Sequence, residues 1–212
     1  PIVEGSVRFG PPVSGVGKIV AVGLNYADHA TETGNPIPEE PVLFTKAVTS
    51  LNGPNDDVVL PKDSKKGDWE VELAIIIGRK AQYVTERNAK NFISGYAVAN
   101  DVSERYLQIE RAGQWVKGKS FDTSCPLGPW LVSVDEVEDP QNLSIWLEVN
   151  GHRYQNGNTK TMVFGVYHIV SYISEFMPLL PGDVIVTGTP PGVGLGQNPP
   201  TFLKPGDTMR LG

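Results

Sequence analysis

The apolar stretches of this chain are short, and that limits what it can fold into. KIVAVGL (18–24), VELAIII (71–77), SGYAVAND (94–101), GPWLVSV (128–134), LSIWLEVNG (143–151) and GDVIVTG (182–188) are all of strand length. Each is rich in β-branched, small apolar or aromatic residues and bounded by Gly, Pro, Asn or Asp, which reads as strand and turn. Asn150-Gly151 between strand-like flanks signals a hairpin. Helical spacing is weaker and is confined to 85–93, 102–113 and 163–177. The 18 prolines gather in connections such as GNPIPEEP (34–41) and TPPGVGLGQNPP (189–200). The pattern predicts a β-rich α+β domain with long, structured loops. A chain of 212 residues can bury one good core or two small ones.

Composition narrows the function. With 18 Lys+Arg against 24 Asp+Glu the net charge is −6, and no basic block interrupts the chain. Binding to nucleic acid through a broad basic surface is therefore not expected. No apolar run approaches the roughly 20 residues that span a bilayer, so no membrane partner is expected either. A single cysteine, Cys125, cannot form an intrachain disulfide and fits a reducing, cytoplasmic setting.

The stretch DWEVELAIII (68–77) carries a conflict. Glu70 and Glu72 lie two apart in an apolar strand and so share a face, with Cα atoms about 6.5–7 Å apart. Two carboxylates on one apolar face repel each other and are costly to desolvate. One resolution is a sheet surface, with Val71, Leu73 and Ile75 inward and Glu70, Glu72 and Ala74 toward water. Ile76 continues the glutamate face, however, and argues that this face is covered. A hard divalent cation is the other resolution. Asp101, after the apolar run SGYAVAN, is then the candidate third ligand; a helix N-cap is its alternative role.

Of the three histidines, His152 follows the hairpin turn and is expected at the surface, and His168 lies in the helical stretch 163–177 and is expected in the core. His29 follows a strand and enters a polar loop, with Glu32 one helical turn away. A carboxylate at that spacing can orient an imidazole as a general base for water. The segment 29–41, with Gly34 and Pro36, Pro38 and Pro41, is expected to act as a lid. Lys46, Arg105 and Lys119 each stand in polar or glycine-rich surroundings. TGTPPGVGLG (187–196) lacks Gly-Lys-Ser/Thr and is no phosphate loop. It reads as a tight turn after a strand, with backbone N–H groups and Thr189 available to an anion.

Taken in order, VGLNYADHA, PVLFTKA, DWEVELAIIIGRKA, GYAVANDVSERYLQ, GKSFDTSCPLGPWLV, VNGHRYQNGNTKTMVF and LLPGDVIVTGTPPGVG resemble the fumarylacetoacetate hydrolase family. The resemblance implies a mixed β-sandwich roll, a homodimer, and one Mg²⁺ or Mn²⁺ per subunit. It maps the metal ligands onto Glu70, Glu72 and Asp101 and a catalytic pair onto His29 and Glu32. It places Lys119, Arg105, Gln108 and Thr189, together with Lys46, around a small 2-oxo acid substrate. Residues 1–17 are then a linker remnant and 18–212 the catalytic domain, with chain ends expected to be trimmed or disordered. The implied reaction is hydrolysis of a C–C bond in a 2,4-dioxo acid, with 2,4-didehydro-3-deoxy-L-rhamnonate the best-matched substrate. Oxaloacetate decarboxylation and isomerisation of unsaturated keto acids share the same metal site, and a structural Ca²⁺ site in a non-catalytic β-module is a further alternative.

Overall fold

In the computed structural model of the chain, which describes Gly5, residues 7–32, Gly34 and residues 36–212, the strand at 71–77 is buried along its whole length. Parts of the expected linker (1–4 and 6) and two positions of the expected lid, Thr33 and Asn35, lie outside the described residues. The strands are β1 (Ile19–Gly23), β2 (Val42–Lys46), β3 (Leu51–Asn52), β4 (Gly67–Asp68), β5 (Val71–Ile77), β6 (Ile93–Asn100) and β7 (Ser103–Glu104). They continue with β8 (Cys125–Pro126), β9 (Val132–Ser133), β10 (Ser144–Val149), β11 (His152–Asn158), β12 (Val184–Val186) and β13 (Met209–Leu211). The α-helices are α1 (Ala27–Glu32), α2 (Val116–Lys119) and α3 (Val166–Phe176).

One mixed sheet has the order β2-β1-β12-β5-β6-β9. All its pairs are antiparallel except β1 against β12. A second, antiparallel sheet has the order β11-β10-β13. The fold is thus mixed α+β and sheet-rich, as the short apolar runs lead one to expect.

Burial on both faces of β5 settles where its glutamates go. Leu73, Ile75 and Ile77 pack with Val20, Val22, Tyr96 and Ile185 beneath Ile169 and Ile173 of α3. Ala74 and Ile76 point the other way, into a cluster with Ile19, Ala21, Ala97, Ala99 and Val186. Trp69 and Val71 meet Ile145, Leu147 and Val149 of the second sheet. Neither face is open to water; Glu70 is 6% and Glu72 2% exposed. The arrangement with the glutamates at a solvated sheet surface does not occur.

Local expectations fare differently. The hairpin forms at Asn150-Gly151, whose φ values of 52° and 79° are the left-handed pair that a type I′ turn needs. The stretch 163–177 becomes α3, and 85–93 becomes a 3₁₀ segment at Glu86–Phe92. The stretch 102–113 departs from the helix its spacing suggests, forming β7 and then a single π turn at Tyr106–Glu110. Long-range bonds pull it away: the Arg105 N–H donates to the Lys66 carbonyl at 3.0 Å. The buried Glu104 carboxylate accepts from Lys66 N (3.1 Å), Ser64 Oγ (3.1 Å) and Leu107 N (2.8 Å). The element that follows Asp101 directly is β7 and not a helix, so its N-cap role falls away. His152 is exposed. His168 is half-exposed rather than in the core, stacked between Phe164 and Tyr172 with Nδ1 3.4 Å from Glu86. No helix among the described residues is long and apolar enough to cross a membrane.

Gln155 fastens the second sheet to the first. It is fully buried, its Oε1 accepts from Val71 N (2.9 Å), and its Nε2 donates to Thr189 Oγ1 (2.7 Å) and the Pro190 carbonyl (2.7 Å). Gln155→Leu strands the Val71 N–H and the Pro190 C=O in the core, each costing about 1–3 kcal/mol. Urea unfolding is expected to show a midpoint lowered by the equivalent of about 2–4 kcal/mol with an unchanged m-value. An unchanged midpoint would show that Gln155 does not hold the sheets together.

Candidate active site

β1 and β12 run parallel, so the segments that leave their C-terminal ends emerge side by side. β1 passes into Asn25, whose fully buried amide donates to the Phe164 (3.0 Å) and Thr187 (2.8 Å) carbonyls and accepts from Phe164 N (2.8 Å). That anchor sets the start of α1, where His29 Nδ1 lies 3.0 Å from Glu32 Oε2. His29 is 7% exposed. β12 passes into the glycine-rich segment, and its N–H groups take hold of carboxylates. Gly188 N donates to Glu72 Oε2 (2.7 Å) and Gly192 N to Glu32 Oε1 (2.8 Å). Gly194 N and Leu195 N donate to Asp68 at 2.6 and 2.9 Å. The anion-binding capacity expected of this stretch is thus engaged by the protein's own acids. Glycine is required at 192, where φ is +106° and a Cβ would stand 2.0 Å from the Tyr154 carbonyl oxygen.

Glu70, Glu72 and Asp101 converge, each offering a carboxylate oxygen within 4.8 Å of the others, and all three are buried. The Asp101 N–H donates to the Glu70 carbonyl at 2.9 Å, extending the β5–β6 pairing so that the strand ends meet. Lys119 Nζ sits 2.6 Å from Glu70 Oε2 and 2.8 Å from Asp101 Oδ2. Arg105 Nη1 is 2.7 Å from Glu70 Oε1, and Lys46 Nζ is 2.7 Å from Asp101 Oδ1. Burial would raise the Glu70 carboxyl, but Lys119 and Arg105 outweigh it and hold Glu70 at about 2. Burial would lower Lys119, but Asp101 and Glu70 keep it raised. Glu72 forms no salt bridge among the described residues; Gly188 N donates to it and Lys119 attracts it without bonding it. Burial, with Asp101 and Glu70 adding to it, pushes its carboxyl well above the ordinary range.

The donor set therefore fits a hard divalent cation. Three carboxylates at this spacing supply oxygen ligands, and Glu72 has the unmet charge that such an ion would satisfy. The oxygens of Glu70 and Asp101 that accept from Lys119, Arg105 and Lys46 still have lone pairs to give. Cys125, the one cysteine, is buried, and burial raises its thiol to about 12, so it is not poised as a nucleophile.

A cavity of about 390 Å³ opens beside this cluster. Of the residues expected at the site, His29, Glu70, Glu72, Arg105, Gln108, Lys119 and Thr189 lie on its wall. Asp101 and Lys46 lie behind it, and Lys46 is committed there to Asp101, Ser124 Oγ (3.1 Å) and the Lys119 carbonyl. Thr189 spends its hydroxyl inside the fold, donating to the Val71 carbonyl at 2.8 Å. The apolar part of the wall is formed by Val22, Leu24, Phe44, Ile109, Trp115 and Val193. Trp115 packs edge-on against Phe44 and so closely over Gly23 that a Cβ there would be 2.3 Å from its ring. From the expected lid, only His29 among the described residues reaches the wall. Glu40 is tied away from it by Tyr172 Oη at 3.0 Å.

Sequence reading passed over Asp68, which holds Arg105 Nε at 2.8 Å and is fully buried. Its signal was present: positions 68, 70 and 72 share one strand parity. Gln155 and Glu104 carried no comparable signal, because their partners are distant in the chain.

Comparison with known proteins agrees with this geometry. Residues 18–212 match the fumarylacetoacetate (FAA) hydrolase C-terminal family. The chain is 59% identical over 213 residues to a 2,4-didehydro-3-deoxy-L-rhamnonate hydrolase of Sphingomonas sp. (strain SKA58), covering 100% of this chain and 75% of that protein. A solved structure of 5-carboxymethyl-2-hydroxymuconate delta-isomerase from Mycobacterium smegmatis superposes with a TM-score of 0.85 at 42% identity, covering 96% of this chain and 76% of that one. A fumarylacetoacetate hydrolase from psychrophilic Exiguobacterium antarcticum also gives a TM-score of 0.85 at 42% identity, covering 95% and 71%. The buried acid cluster, the His–Glu pair and the match along 18–212 lead to one statement: this chain belongs to the fumarylacetoacetate hydrolase family.

Proposed function

We propose that the protein is a metal-dependent hydrolase that cleaves the C3–C4 bond of a 2,4-dioxo acid, giving pyruvate and a carboxylic acid. The substrate in this reading is 2,4-didehydro-3-deoxy-L-rhamnonate or a closely similar sugar-acid derivative, acted on by a cytoplasmic homodimer. One observation carries it: His29, held by Glu32, shares a cavity wall with Glu70 and Glu72. A base for water thus stands beside ligands for a hard cation. The 59% identity to a hydrolase of that substrate supports the choice among dioxo acids.

Glu70, Glu72 and Asp101 would hold Mg²⁺ or Mn²⁺, which would supply Lewis acidity and a template for the 2-oxo acid end of the substrate. Arg105 and Lys119 offset the acid cluster and let an anionic substrate approach. In this reading His29, oriented by Glu32, takes a proton from water as the water oxygen adds to C4. The C3–C4 bond then breaks, its electron pair passing to the pyruvate side as an enolate. Lys119 faces that charge, C3 takes the proton that His29 removed from water, and C4 leaves as the new carboxylic acid. The isomerase neighbour supports a second reading, in which His29 would move a proton along an unsaturated keto acid and no water would add.

Pyruvate release from a panel of 2,4-dioxo acids, with Mg²⁺ and then with EDTA, separates these readings. Release from the rhamnonate derivative, abolished by EDTA and restored by Mg²⁺, is expected. Turnover of oxaloacetate alone, or isomerisation without pyruvate, would replace the hydrolase reading.

His29→Ala is expected to slow dioxo-acid cleavage by about 10²-fold or more, the usual scale for loss of a general base. Metal affinity should hold, and any oxaloacetate decarboxylation should fall much less. Equal losses in both reactions would remove the water-activating role.

Glu72→Gln separates the two consequences of the acid cluster. In EDTA the variant is expected to melt at or above the temperature of the wild type, because a buried carboxyl that burial pushes toward its neutral form is replaced by a neutral amide of similar shape. Added Mg²⁺ should raise the melting temperature of the wild type and raise that of the variant much less. A large destabilisation in EDTA, with an undiminished Mg²⁺ response, would mean that Glu72 is not a ligand.

A further inference from the structure

Arg105 is positioned by an acid that itself never reaches the cavity. Its Nε donates to Asp68 Oδ2 at 2.8 Å, and its Nη1 donates to Gln108 Oε1 at 3.0 Å and lies 2.7 Å from Glu70 Oε1. Nη2 has no partner among the described residues, and Arg105 lines the cavity wall. A guanidinium is a planar fork, so fixing Nε and Nη1 fixes the direction of the remaining N–H groups. Asp68 is absent from the wall and fully buried. Its other bonds come from main-chain N–H groups: Trp69 and Gly194 to Oδ1 at 2.8 and 2.6 Å, and Leu195 to Oδ2 at 2.9 Å. Val193 and Leu195, on either side of Gly194, both line the cavity. One carboxylate thus joins Arg105 to the adjoining 193–195 stretch of the cavity wall.

We propose that Asp68 is a positioning residue for substrate recognition: it aims the free Nη2 edge of Arg105 at an anionic oxygen of the substrate and keeps the 193–195 wall in register with it. The proposal rests on the 2-oxo acid reading above. It assigns to Asp68 no contact with substrate and no share in holding a metal. A neutral amide at 68 could keep at most part of the set, since Asn has one acceptor oxygen where Asp has two. Arg105 would then keep its charge but lose its aim.

The test uses the Mg²⁺-loaded protein and oxalate, a small dianion that mimics the carboxylate and 2-oxo oxygens, with binding followed by calorimetry. Asp68→Asn and Arg105→Lys are each expected to weaken oxalate about 10-fold or more, the scale seen when a group that orients a ligand-binding residue is lost. The double variant should bind about as weakly as either single one, because both remove the same aimed fork. In turnover, KM should rise more than kcat falls in both single variants. Hydrogen exchange of the 193–197 backbone should speed up in Asp68→Asn and stay as in the wild type in Arg105→Lys. If Asp68→Asn fails to fold, Arg105→Lys still decides: undiminished oxalate binding there would overturn the proposal. Additive losses in the double variant, or an unchanged oxalate affinity in Asp68→Asn, would also overturn it while leaving the hydrolase reading intact. A wild type that binds no oxalate and turns over no dioxo acid would overturn both.

Discussion

The site depends on main-chain N–H groups that grip buried and half-buried carboxylates. Between Gly188 and Leu195 four such groups bind three acids from three separate places: Glu72 in β5, Glu32 in α1, and Asp68 before β5. Bonds to an ionised acceptor are roughly twice as strong as neutral ones. A backbone donor cannot titrate and has no rotamers to lose, so it holds its acid at a lower entropic cost than a lysine would. Side chains on this segment would block the approach. A Cβ at Gly194 would lie 2.8 Å from Asp68 Oδ1 and 2.0 Å from the Thr201 carbonyl oxygen.

Around that grip the charges are nearly, but not fully, balanced. Asp68, Glu70, Glu72 and Asp101 are buried together with Arg105, Lys119 and Lys46. A buried ion pair costs its desolvation and returns it only when the geometry and the remaining hydrogen bonds are good. Here most partners stand at 2.6–2.8 Å. The shortfall falls on Glu72, which is why the cluster is suited to a divalent cation. Lys46 bonds Asp101 and is not among the residues that line the cavity.

What was legible in the sequence was what local pattern controls. Strand-length apolar runs foretold a sheet-rich fold, and Asn150-Gly151 foretold the β10–β11 hairpin. The Glu70/Glu72 spacing foretold a shared face, and one helical turn foretold the His29–Glu32 contact. What local pattern could not reveal was decided by partners far along the chain. The helical spacing of 102–113 lost to the bonds that Arg105 and Glu104 make with residues 64–66. His168 left the core because α3 turns Ile169 and Ile173, not His168, toward the sheet. Nothing near Lys46 in sequence shows that Asp101, 55 residues away, claims it.

The parallel pairing of β1 with β12 matters for more than packing. Ile19, Val20 and Ala21 stand beside Val184, Ile185 and Val186, and the two strands then release the His29 helix and the glycine segment in the same direction. Sliding one strand by a single residue would move these two groups about 3.3 Å relative to each other and turn every side chain to the opposite face. The Gly192–Glu32 bond at 2.8 Å spans the two segments and has no slack for such a step. The pair thus works as a ruler: the spacing between His29 and the glycine segment that also holds Glu72 is counted in backbone hydrogen bonds, so a change in a core side chain that preserves that count leaves that spacing as it was.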